Sequence, residues 1–173
     1  TGAENVALGA NVLDTNTTGN SNTALGYQTL DANSTGNRNT GLGQGALRNN
    51  TTASDNTAVG RDAMFANTTG TNNTSVGKSA LESNTTGTRN VALGSQALDA
   101  NTTANDNTAL GDQAMSTKTT GNTNTAVGAS AGFALTTGGN NTLVGYNAGN
   151  TASPSGAITT GSNNVVLGDN NIS

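Results

Sequence analysis

With 173 residues, of which 31% are hydrophobic and only 2% aromatic, the chain lacks the apolar bulk of a conventional compact core. Its net charge of −4 and its 9% of charged residues fall short of the charge that keeps a chain disordered, so periodicity has to decide between order and disorder. There is no cysteine and no histidine, hence no disulfide framework, no thiolate metal site and no near-neutral acid–base group; the chain is not expected to be an enzyme or to carry a cofactor.

From the N-terminus onward, the pentad Asn-Thr-Ala-Leu-Gly or a close variant begins at Asn5, Asn22, Asn39, Asn56, Asn73, Asn90, Asn107, Asn124 and Asn141, always seventeen residues apart. A tenth copy begins at Asn164, twenty-three residues on, so six residues are inserted around Thr151 to Thr160, where the sole proline, Pro154, lies. This divides the chain into a repeat region, 1–150, and a segment 151–173 that holds an insertion loop and an altered final copy, expected to cap the repeats or bridge to a further domain. The opening at Thr1, inside a repeat and without methionine, is expected of a piece of something longer.

Seventeen residues with an Asn-Thr-Thr-Gly stretch cannot hold a helix pair, because Gly, Asn and Thr are poor helix formers. Short strands joined by Gly and Asn turns do fit, which predicts an all-β fold: a parallel β-solenoid, or β-roll, with seventeen-residue coils stacked about 4.8 Å apart. We number each coil from its leading Asn as position zero. Stacking then makes a ladder of the Asn residues, and the glycine at position four, Gly9 through Gly168, is expected to adopt a backbone conformation that would strain a side chain.

Fifteen of the sixteen charged residues sit just before the Asn or five, six or nine positions after it, which places those positions in water; Lys118 is the exception. Position three is always Leu or Val, from Leu8 to Leu167, and position eight is Leu or Met from Leu13 to Met115, lapsing to Gly132 and Gly149. Both columns are expected to point inward, and by strand alternation position one, always Thr or Val, should point inward with position three. That register predicts that Asp in place of Leu42 or Leu93 unfolds its neighbourhood.

The pentads Asn22-Thr23-Ala24-Leu25-Gly26 and Asn56-Thr57-Ala58-Val59-Gly60 resemble the head repeats of YadA-like trimeric autotransporter adhesins. The longer pattern, with Asn-Thr-Thr-Gly, also resembles repeats of phage tail-fibre-like proteins. The resemblance implies a homotrimer of parallel β-rolls in an extracellular fibre or head, on a cell surface or a virion, with a host-surface receptor or glycan as partner. Position two, occupied by Ala7, Ala24, Gly41, Ala58, Ser75, Ala92, Ala109 and Ala126, is small and uncharged, and is therefore the expected inter-chain interface. Turn crowding is the competing reason for small residues there.

A second candidate surface is the threonine strip at position thirteen, Thr18, Thr35, Thr52, Thr69, Thr86, Thr103, Thr120 and Thr137, beside a Thr or Ser column at position twelve. A regular hydroxyl–methyl array suits an ice-binding solenoid, although neighbouring strand residues point to opposite faces and leave one outward rank; satisfaction of turns by these hydroxyls is the simpler account. Asp14, Asp31, Glu82 and Asp99 share position nine, but Arg48 and Phe65 interrupt them, and no metal site is expected. Six basic residues scattered among ten acidic ones argue against nucleic acid, and no apolar run is long enough to cross a bilayer as a helix. The chain thus reads as a rigid spacer with an attachment surface, with an ice-binding solenoid or a subunit of an end-to-end filament as alternatives.

Overall fold

The computed structural model describes residues 2–150 and 156–168. Pro154 and the other residues of 151–155, like Asp169 and the residues after it, lie outside the described residues. The fold is all-β. Among the described residues, ten three-residue strands, β1 (Val6–Leu8), β2 (Thr23–Leu25), β3 (Thr40–Leu42), β4 (Thr57–Val59), β5 (Thr74–Val76), β6 (Val91–Leu93), β7 (Thr108–Leu110), β8 (Thr125–Val127), β9 (Thr142–Val144) and β10 (Val165–Leu167), form one sheet in sequential order. Every pair is parallel and in register, so that Thr57 faces Thr74 and Ala58 faces Ser75. Nine steps of about 4.8 Å make the strand face about 43 Å long.

Strands of three residues cannot hold coils together alone, and the rest of each coil is bonded to its neighbours as well. Leu30 N–H donates to Ala46 O at 3.1 Å and Ser34 N–H to Thr51 O at 2.8 Å in the next coil, while Gln28 N–H donates to Ala10 O at 3.0 Å in the previous one. The extra residues before β10 do not break this order. Ile158 N–H donates to Gly149 O at 2.9 Å, and Asn164 N–H still finds Asn141 Oδ1 at 2.9 Å, twenty-three residues back.

Two asparagine ladders run through the rod. At position zero, Asn73 N–H donates to Asn56 Oδ1 at 3.0 Å, and Asn73 Nδ2 donates to Gly87 O at 2.8 Å across the coil. The position-eleven ladder was not singled out by the repeat: Asn33, Asn50, Asn67, Asn84 and Asn101 each donate from Nδ2 to Oδ1 of the preceding coil at 2.9 Å. From the second coil to Asn141 these amides are buried. They supply the polar bonding that a chain with little apolar bulk needs in its interior.

The strand alternation is present, but its parity is opposite to that expected. Ala24, Ala58, Ala92, Ala109 and Ala126 are fully buried, with Ser75 and Gly41, whereas Leu25 and Leu110 at position three are each 45% exposed. The proposed interface column Ala7, Ala24, Gly41, Ala58, Ser75, Ala92, Ala109 and Ala126 therefore points into the coil, apart from Ala7 in the first coil, which is exposed. Positions one and three point out. The reason is width: position two meets the buried Ala of position seven (Ala46, Ala63, Ala80, Ala97) and the Leu or Met of position eight, and only small side chains fit between them.

Position eight is inward as expected, at a conformational cost. Leu30, Leu47, Met64, Leu81, Leu98 and Met115 hold φ between 50° and 53°, the left-handed region that side chains disfavour. Burying a whole Leu or Met, worth about 1.5–3 kcal/mol, offsets strain of about 1–3 kcal/mol. Where Gly132 and Gly149 relieve that strain, Leu143 replaces the usual small residue of position two and fills the space: a Cβ on Gly132 would meet Leu143 Cδ1 at 2.9 Å.

The position-four glycines are required twice over. Gly94 has φ of 138°, and a Cβ there would stand 2.3 Å from Gly111 O of the next coil. Gly94→Ala is expected to cost about 2–3 kcal/mol after relaxation, read as a lowered thermal midpoint with exchange protection lost first around β6 and β7; an unchanged midpoint would contradict the tight coil contact.

Candidate functional site

The outward strand face is a continuous, uncharged surface. Position one carries Thr or Val and position three carries Leu or Val in all ten coils, with no charged residue at either. Because the strands are in register, these become two parallel columns on one face, one of Thr with three Val and one of Leu and Val. Leu8, Leu25, Val76, Leu110, Val144 and Leu167 are exposed along it, and Tyr27 and Tyr146 at position five flank it. A stripe about 43 Å long and two side chains wide is of the size that soluble proteins rarely leave in water without a use.

The two threonine columns separate. At position twelve the hydroxyls are engaged with the next coil: Ser34 Oγ donates to Thr51 O at 2.9 Å, and Thr51, Thr68 and Thr85 repeat this at 3.1 Å. Thr18, Thr35, Thr52, Thr69, Thr86, Thr103, Thr120 and Thr137 at position thirteen are all exposed. They form one outward rank, bordered by buried Gly or Ala at position fourteen.

Charge lines other edges of the coil, and none of the described charged residues at those positions is buried. Arg38 pairs with Asp55, and Arg89 with Asp106, through two bonds each, Nε to Oδ1 at 2.7 and 2.6 Å. The hydrogen bonds from these guanidinium groups hold both carboxyls below their ordinary range. At position nine, Arg48 lies 3.8 Å from Asp31 and stacks over Phe65 at 5.5 Å. Further along the same column, burial raises the Asp99 carboxyl above its usual value; the Ala100 backbone N–H opposes this and nearby Glu82 adds to it.

Beyond Asp99 the column falls to Ser116 before rising at Phe133, and a groove of about 450 Å³ opens there, lined by Gln96, Asp99, Ala100, Gln113, Ser116, Thr117 and Phe133. Of these, sequence reasoning had marked only Asp99. The available signal was the single small residue at position nine between a carboxylate and an aromatic ring. No group of three or more metal-ligating side chains, and no helix long and apolar enough to cross a membrane, occurs among the described residues.

Lys118, the one charge outside the repeat's rule, is fully buried where the position-eleven ladder should continue. Its ammonium donates to Gly121 O, as the Asn of other coils does at this point, but Asn101 Oδ1 is left buried without a partner. Burial pulls the Lys118 ammonium down to about 8.

Comparison of the chain with protein-family profiles, with curated proteins and with solved structures finds no match in any of the three.

Proposed function

We propose that this chain is a structural segment of an extracellular fibre or adhesin, of the phage tail-fibre or bacterial surface-adhesin kind, in which three rods associate side by side through the stripe of positions one and three. The observation that carries this reading is that stripe: ten coils in register, uncharged throughout, on a face about 43 Å long. The segment acts mechanically. Stiffness comes from repeated coil-to-coil bonding, which no single residue controls, and the charged edges and threonine rank stay outward for contact with a host-surface receptor or glycan.

The solution mass by light scattering after size exclusion tests it, with three chains expected. Leu42→Asp combined with Leu93→Asp should give one chain per particle with unchanged circular dichroism, since both residues face outward and neither is buried. This is the reverse of the outcome that an inward position three predicts. A monomeric unsubstituted chain would remove the reading. The threonine rank would then come forward, and a freezing-hysteresis assay on the same sample decides whether it orders ice. A mass that keeps rising with concentration would favour an end-to-end filament.

A further inference from the structure

We propose that the groove beside Phe133 is a binding subsite for one neutral pyranose unit of a glycan. Asp99, Ser116 and Phe133 occupy position nine of three successive coils, so the carboxylate and the ring stand two steps, about 9.6 Å, apart along the axis. Ser116 forms the floor between them. It is 8% exposed and lines the groove, where a ligand hydroxyl can take the place of water at its own hydroxyl.

The walls supply what a sugar requires. Phe133, 40% exposed, offers an apolar face to the C–H side of a pyranose ring. Gln113 Nε2 donates to Gln96 Oε1 at 3.3 Å, which fixes the two amides side by side and leaves Gln96 Nε2 to donate and Gln113 Oε1 to accept. Asp99 adds acceptors at the far end. An apolar plate opposed by several donors and acceptors within 450 Å³ matches a small polyhydroxylated ring. The carboxylate, in a chain of net charge −4, disfavours phosphate and anionic sugars. Position nine holds larger side chains than Ser116 in the preceding coils: Asp31, Arg48, Phe65 and Glu82.

The subsite goes beyond the fibre reading and stands apart from it, since positions six, nine and ten are not those of the strand stripe. Saturation-transfer NMR on the unsubstituted chain, with the methyl glycosides of glucose, galactose and mannose as probes, tests it. At least one is expected to bind through the protons of one ring face, with affinity reduced about tenfold in Phe133→Ala and in Asp99→Asn. Ser116→Phe, which introduces a side chain that position nine already accepts at Phe65 and Phe133, should abolish binding while the circular dichroism stays unchanged. Absence of binding by all three glycosides overturns the proposal, as does binding that survives Ser116→Phe or equal competition by ethylammonium. A chain that proves monomeric but binds a glycoside would overturn the trimer and leave the subsite standing.

Discussion

Asn73→Ala is expected to lower the stability of the coils around it by about 3 kcal/mol. Asn90 N–H loses its partner, Asn73 Oδ1 at 2.9 Å, and Gly87 O loses the Nδ2 proton given at 2.8 Å, keeping only that of Asn84 at 3.1 Å. A buried N–H without a partner costs about 1–3 kcal/mol, and the lost bond to Gly87 O adds about 0.5–1.5 kcal/mol. Because a solenoid is stabilised between nearest neighbours, the loss should be local. Hydrogen exchange of the β5 and β6 amides is the measurement, with β2 and β9 as internal references. Protection that falls equally along the whole rod would mean that the coils do not behave as neighbour-coupled units, and undiminished protection would mean that the ladder is not structural.

Lys118→Asn is expected to raise stability at neutral pH by about 3 kcal/mol. The ladder would become continuous: an Asn there can donate to Asn101 Oδ1 and to Gly121 O, as Asn101 does to Asn84 Oδ1 at 2.9 Å and to Ala104 O at 3.2 Å. The unsubstituted chain carries its own control. Its buried ammonium has a pKa of about 8 against the ordinary 10.5, so the unfolded chain holds the proton more tightly than the folded one. Stability should therefore be lowest below pH 8, rise between about 8 and 10.5 as the unfolded chain still binds a proton that the folded chain has released, and level off above. Denaturant midpoints across that range read the effect. In Lys118→Asn the rise should vanish; a rise that persists would assign it to another group, and a variant less stable than the parent would show the lysine to be a better fit than the geometry indicates.

These two substitutions probe the polar interior, which departs most from an ordinary core. The apolar column of position eight is one side chain per coil, set between small residues, and the amides at positions zero and eleven close the coil on either side of it. Toward the C-terminal end the balance changes. Position eleven passes from Asn101 to Lys118, Leu135 and Ile158, the last two buried and apolar, as position eight passes to Gly132 and Gly149. The same interior volume is filled from a different corner, with Leu143 reaching across from the strand.

Much of this architecture follows from the sequence by itself. A seventeen-residue period rich in Gly, Asn and Thr dictates stacked coils, the Asn at position zero dictates a ladder, and exclusion of charge from position eight marks an inward column. The conformation of the position-four glycines was equally legible, as was the anomaly of Lys118. The parity of the strand was not. Alternation states that positions one and three share a face and that position two faces the other way, but it does not state which face is in. Hydrophobicity pointed to Leu and Val; the structure placed Ala inside, because a coil this narrow, already holding a Leu or Met and an alanine, has no volume for a second large side chain. The groove has the same origin. Asp99, Ser116 and Phe133 are seventeen residues apart in sequence, and only the stacking of their coils sets a carboxylate, a hydroxyl and an aromatic ring along one line.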